Sequence, residues 1–318
     1  MAEPVVFGLA LGGGGARGYA HLGVLEMLER EHLQPAIITG TSFGALVGAL
    51  YLAFGSAAAV KTRLDAFQRT EEFKALGFEY LKPQERGGGS FLQQVTRVLK
   101  NRVVVNLAQS RPGLIHRHKL QEAVKWLLPV KIWENDDTRL GVVATDIRTG
   151  EHVYFTDGDL IFAVAASMAI PGFVPPLEFN GRLLVDGGVS QNLPVLLARQ
   201  MGANLVLAVD VGQAVNPDAP LDNALEVMAQ AESITSYHYR NYLAREADLT
   251  LKVELKGAHW SEFHRSEEFY LAGKKAYETG ALQLQALWER RTHPWRYRIK
   301  HLFGGHYQRQ RKEIVIES

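Results

Sequence analysis

The sequence contains no cysteine among its 318 residues. That absence excludes disulfides, thiolate zinc sites and thiol nucleophiles together, and points only weakly to a reducing compartment, because any compartment tolerates a cysteine-free chain. It also lacks a basic opening stretch: Met1-Ala2-Glu3-Pro4 is not the n-region of a signal peptide, so the expectation is a cytoplasmic protein. No internal repeat or low-complexity tract is visible. Charge of either sign is scarce in excess, with 35 basic against 34 acidic side chains and a net charge of +1. With 47% hydrophobic and 22% charged residues, the composition is that of a globular protein able to bury one large core or two modest ones.

Long uninterrupted apolar helices are missing as well. Residues 33–60 carry no charge and are long enough to span a bilayer, but Pro35, Gly40 and Gly44 break the first half into strand and turn. Residues 160–177 are also uncharged, and Pro171, Pro175 and Pro176 forbid a continuous helix through their second half. Both runs are expected to be buried elements of a soluble fold.

What is present begins with an apolar strand over residues 5–11, of the kind buried on both faces of a parallel sheet. A glycine loop, GGGGARG at 12–18, follows, and then a helix over 19–31 with Leu22, Leu25 and Leu28 on one side. Such a loop offers bare backbone N–H groups to a phosphate or an oxyanion. Gly13, Gly15 and Gly18 fit the G-x-G-x-x-G spacing of a dinucleotide site. That reading also wants an acidic residue about 20 positions on, where this chain has Thr39-Gly40-Thr41-Ser42.

That second stretch is the focus of the chain. Gly40-Thr41-Ser42-Phe43-Gly44 lies between a β-branched strand and an apolar helix and has the form of a nucleophile elbow, with Gly40 and Gly44 where strand and helix approach closely. Ser42 then stands at a helix N-terminus, where free N–H groups favour a developing negative charge. The nucleophile needs a base. His21 reads as a packed or capping residue, and His116, His118, His152, His238, His259 and His264 have no motif around them. The stronger candidate is Asp186, which ends an apolar strand and is followed by Gly187 and Gly188. Asp146 and Asp210 end strands too and read as hydrogen-bonding strand ends.

Taken together, GGGGARG at 12–18, GTSFG at 40–44 and DGG at 186–188 resemble the glycine-rich loop, serine elbow and D-G-A/G motif of the bacterial patatin-like phospholipases. The likeness extends through residues 165–176 and Asn192-Leu193-Pro194. The resemblance implies a three-layer α/β/α fold with a mainly parallel central sheet (FabD/lysophospholipase-like), and hydrolysis of acyl esters of phospholipids or lysophospholipids through an acyl-enzyme. It implies a Ser42–Asp186 dyad with no histidine, cofactor or metal. It also implies an oxyanion loop at Gly13, Gly14, Gly15, Arg17 and Gly18. Arg17 could meet a phosphate or fix the loop by hydrogen bonds. The competing readings are a non-catalytic lipid-binding module on the same fold and, third, a dinucleotide-binding oxidoreductase.

The expected organisation is one acyl hydrolase domain over 1–289, with residues 70–139 a helical cap insertion, and a tail over 290–318. Residues 290–312 hold eight basic and no acidic side chains, interleaved with Trp295, Tyr297, Phe303 and Tyr307. This composition suits peripheral contact with an anionic membrane at its inner face. A solvated tail is the competing reading. No nucleic-acid motif accompanies the basic run, so no nucleic-acid partner is expected.

Overall fold

The computed structural model describes residues 4–77 and 113–293. The expected opening strand is β1 (Phe7–Leu11), and a 3-10 turn (Gly15–Gly18) leads into α1 (Tyr19–Arg30) and β2 (Ile37–Thr41). Then come α2 (Phe43–Phe54), α3 (Ala57–Phe67), α4 (Glu71–Ala75) and α5 (Arg117–Leu127). The centre of the chain forms β3 (Arg139–Asp146), β4 (His152–Phe155), α6 (Leu160–Ser167), β5 (Leu177–Phe179) and β6 (Arg182–Asp186). It continues with α7 (Gly188–Gln191), α8 (Val195–Gln200), β7 (Leu205–Asp210), α9 (Ala224–Ala244), β8 (Leu249–Lys252) and α10 (Ser266–Thr292).

The eight strands form one mixed sheet in the order β5-β6-β3-β2-β1-β7-β8, with β4 added to β3. The stretch from β3 through β2, β1 and β7 to β8 is parallel, and the β4, β5 and β6 pairings are antiparallel. Side-chain alternation along β1 sorts the two faces, as a period of two requires. Phe7, Leu9 and Leu11 join a core with α1, α2, α6 and α10, while Ala10 joins a smaller core with Leu193, Val195, Ala198 and Leu243 from α8, α9 and the loop before α8. Helices on both faces make three layers. Each fully buried leucine or phenylalanine in them is worth about 1.5–3 kcal/mol relative to exposure.

The helix layer over the larger core is set by glycine contacts. A Cβ on Gly23 would lie 2.1 Å from Tyr270 O, and one on Gly273 would lie 1.9 Å from Ala20 O, so α1 and α10 cross backbone to backbone. The uncharged run at 33–60 is β2, the elbow and α2, whose residues 43–52 are buried in that core. No described helix is long and apolar enough to cross a membrane by itself. The apolar pair α2 and α3 is bent by 118° at its break.

Within the stretch expected to be a cap insertion, α4 and α5 are described. Leu120, Ala123, Val124 and Leu127 recur at helical spacing and, with Phe73, join the main core. Residues 78–112, the middle of the expected 70–139 cap insertion, lie outside the described residues. At the other end α10 runs to Thr292, and Arg291 sits 3.4 Å from Asp248. The expected boundary at 289 therefore falls inside a helix, and Arg290 and Arg291 belong to the folded unit. The aromatic residues of the tail lie outside the described residues.

One register brings the ends of β2 and β6 together. β4 pairs with residues 142–145 of β3 along one edge. The other edge is divided: β2 pairs parallel up to Thr41 opposite Val143, and β6 pairs antiparallel up to Asp186 opposite Ala144. β2 and β6 thus approach head-on, and their carboxyl ends meet on neighbouring residues of β3.

Candidate active site

At the end of β2 the backbone turns on Ser42, which has φ 55° and ψ −125°. A non-glycine residue at positive φ is strained, by about 1–3 kcal/mol, and is retained only where its surroundings enforce it. Here two glycines let those surroundings close in. A Cβ on Gly40 would lie 2.3 Å from Ala45 Cα, and one on Gly44 would lie 2.2 Å from Leu11 O. The Ser42 N–H donates to Ser167 Oγ at 2.8 Å, and Ser167, at the end of α6, is fully buried. The turn is therefore fixed from three directions, with Ser42 Oγ facing the end of β6.

Ser42 Oγ donates to Asp186 Oδ2 at 2.6 Å. The other carboxylate oxygen, Oδ1, accepts the Gly188 N–H at 2.7 Å, and the Asp186 N–H is held by Ala169 O. Gly187 carries no Cβ because one would sit 2.2 Å from Val143 O, on the strand that both β2 and β6 share. Asp186 is 3% exposed. Burial pushes its carboxyl up to about 7, against the opposing pull of the Ser42 hydroxyl and the Gly188 N–H. A carboxylate at that value is a far better base near neutral pH than an unperturbed one near 3.9.

The glycine loop runs beside this pair. Gly13 and Gly14 line the same cavity as Ser42, Asp186 and Gly188, together with Asn192 and with Glu232 and Ser236 of α9. Successive peptides of the loop have different partners. The Gly13 N–H donates to Asn192 O at 3.0 Å, so it is engaged within the fold, whereas the Gly14 N–H has no acceptor among the described residues. Gly15 has φ +58°, and a Cβ there would lie 2.5 Å from Trp260 O; a Cβ on Gly18 would lie 2.4 Å from the Phe43 ring. Arg17 is 2% exposed and donates from Nε to Gly14 O at 3.0 Å. It fixes the loop. Burial and the neighbouring Arg240 charge lower its guanidinium to about 10, with Asp210 opposing. Asp210 is itself ion-paired to Arg240 and accepts the Gly212 N–H, and Asp146 accepts the Arg148 N–H, the strand-end roles expected of both.

On the other side of Ser42 the surroundings are apolar. One cavity reaches from Ser42 to Leu76, Leu120, Met168, Phe173 and Trp260. A second, deeper between α3, α4 and α5, is lined by Leu64, Phe67, Phe73, Ala123 and Val124 among others. The two share Phe43, Leu76, Leu120 and Met168, so they adjoin. Neither cavity containing Ser42 is lined by a described histidine. Among the described residues no cluster of three or more His, Asp or Glu could hold a metal ion.

A model of the family described as patatin-like phospholipase matches residues 9–199, which takes in the loop, the elbow, Ser167 and Asp186. The chain belongs to the patatin-like phospholipase family. An uncharacterized NTE family protein of Mycobacterium tuberculosis is 34% identical over 207 residues, 64% of this chain and 48% of the relative. The human patatin-like phospholipase domain-containing protein 6 is 33% identical over 215 residues, 66% of this chain and 14% of the relative. The chain thus spans less than half the length of either of these relatives. Among solved structures, VipD from Legionella pneumophila aligns with 90% of this chain and 68% of its own, at 15% identity and a TM-score of 0.46.

Of the residues singled out from the sequence, Ser42, Asp186 and Gly13–Gly14 come together around one cavity, while Gly15 lines its apolar neighbour. Three contributors escaped the sequence. Ser167 and His21 hold backbone groups of the elbow and loop, and the Asn192 backbone carbonyl holds the Gly13 N–H, while the helix ending at Gln200 starts from Pro194. Ser167 and Asn192 both lie within stretches that carry the family resemblance, the signal available for each.

Proposed function

We propose that this chain is a serine lipid acyl hydrolase that cleaves carboxylic esters of phospholipids or lysophospholipids with a Ser42–Asp186 dyad. The observation that carries the reading is the 2.6 Å hydrogen bond from Ser42 Oγ to a buried carboxylate whose affinity for protons is raised to about 7. Asp186 takes the Ser42 proton as Oγ attacks the ester carbonyl, and the resulting oxyanion is met by the Gly14 N–H and the start of α2. Collapse expels the alcohol, which receives that proton from Asp186, and leaves the acyl group on Oγ. A water molecule, losing its proton to the same carboxylate, then attacks the acyl-enzyme and releases the fatty acid, and the proton returns to Oγ.

The acyl chain runs in this reading from Ser42 through the near apolar cavity towards the deeper one, and the cavity lined by Asp186, Glu232 and Ser236 receives the leaving alcohol. Apolar walls of this kind favour hydrocarbon by about 0.8 kcal/mol per buried methylene. Peripheral contact with an anionic membrane through 290–312 belongs to the same proposal; it is tested by cosedimentation of chains with and without residues 294–318 on anionic vesicles at low salt. The test of the dyad is substitution. Ser42→Ala and Asp186→Asn each abolish ester hydrolysis with circular dichroism unchanged, and no single histidine substitution abolishes it. A folded histidine variant as inactive as Ser42→Ala would overturn the dyad.

A further inference from the structure

His21 is fully buried in the first turn of α1, and its Nε2 lies 2.8 Å from Gly12 O. A carbonyl oxygen can only accept, so Nε2 carries the hydrogen and the ring is in its Nε2–H form. Nδ1 is buried without a partner among the described residues, and burial lowers the imidazole to about 4, which keeps it neutral at working pH. The same peptide that gives its oxygen to His21 gives its N–H, that of Gly13, to Asn192 O. The peptide two further on gives its oxygen, Gly14 O, to Arg17 Nε. Between these two clamped peptides lies the one whose N–H belongs to Gly14.

We propose that His21 is a positioning residue for the hydrolysis: donating from Nε2 to Gly12 O, it fixes the loop so that the Gly14 N–H is oriented for the oxyanion before substrate arrives. This rests on the acyl hydrolase reading of the same site. A preorganised donor stabilises charge that appears only in the transition state, so loosening it lowers kcat more than it raises KM. His21 touches neither substrate nor Ser42 in this account and takes no proton.

His21→Leu keeps an apolar side chain of moderate size while removing the donor, and His21→Gln restores an N–H the same number of bonds from Cβ. On a soluble short-chain ester, His21→Leu is expected to lower kcat roughly 10- to 100-fold, less than outright loss of a donor, with KM within about threefold. His21→Gln recovers kcat to within about threefold of the parent. A folded His21→Leu with parental kcat, or a folded His21→Gln no better than His21→Leu, overturns the proposal. Should His21→Leu not fold, the unsubstituted protein decides: its imidazole 15N spectrum is expected to show a neutral Nε2–H ring from pH 5 to 8, and an Nδ1–H ring contradicts it. If the parent shows no Ser42-dependent hydrolysis at all, the acyl hydrolase reading fails, which is a separate result from loss of the His21 effect.

Discussion

Ser167 Oγ accepts the backbone N–H of Ser42 at 2.8 Å, and the carbonyl of the same Ser167 accepts the Gly187 N–H at 3.4 Å. One buried residue at the end of α6 therefore holds both the strained turn that carries Ser42 and the turn that follows Asp186. The head-on approach of β2 and β6 brings the two ends together, and Ser167 ties them.

Ser167→Ala should accordingly weaken both stability and catalysis. It leaves the Ser42 N–H buried without an acceptor, a loss of about 1–3 kcal/mol. It also frees a residue at φ 55° to relax. Urea unfolding is expected to show that loss and steady-state kinetics a fall in kcat of about tenfold or more. Unchanged values in both would show that the bond does not constrain the elbow.

Asp186 makes two pH predictions from its raised value of about 7. It must be ionised to act as base, so kcat/KM should fall about tenfold per pH unit below 7. For stability the sign is the reverse of a salt-bridged carboxylate. The folded state binds the Asp186 proton more tightly than the unfolded state, whose carboxyl titrates near 3.9, so this contribution is full below about 4 and is lost as pH rises through about 7. Asp186→Asn should gain stability relative to the parent across that window, by at most about 4 kcal/mol. Thermal melts of both proteins at pH 4 to 8 check this; a parent that gains on the variant as pH rises contradicts it.

The deeper apolar cavity predicts acyl-chain selectivity. Ala123 lines it and is absent from the lining of the cavity at Ser42. Ala123→Phe should displace two or three methylenes of a long chain, reducing kcat/KM for long-chain against short-chain esters by roughly 15- to 60-fold. An equal effect on both chain lengths would remove the deeper cavity from the substrate path.

Hydrolysis should also survive EDTA and require no calcium, since the roles assigned to Ser42, Asp186 and the loop use no metal ligand. Activity lost in chelator and restored by a divalent ion would contradict this assignment.

The residues legible in the sequence are those whose local backbone betrays them. Ser42 is marked by Gly40 and Gly44, whose missing Cβ atoms make room for α2 and β1, and Asp186 by Gly187, which clears Val143. The strands around them were visible as uncharged apolar runs. Ser167 was not legible as a tether, because its partner lies 125 residues away and its own neighbours are ordinary helix formers. His21 looked like a packed helix residue because nothing in its spacing shows that its ring reaches back to Gly12. The antiparallel arrival of β6 was likewise hidden, since strand direction follows from β3 pairing and not from the composition of residues 182–186.

The central claim is that Ser42 is the nucleophile and Asp186 its base. Treatment with a fluorophosphonate ester followed by peptide mass spectrometry tests it most directly. The account predicts a single covalent phosphonyl adduct on Ser42, lost in Ser42→Ala and strongly slowed in Asp186→Asn, with ester hydrolysis falling in proportion to labelling. An unlabelled Ser42 in protein that still hydrolyses the ester, or an adduct on another residue that accounts for the inactivation, would contradict it.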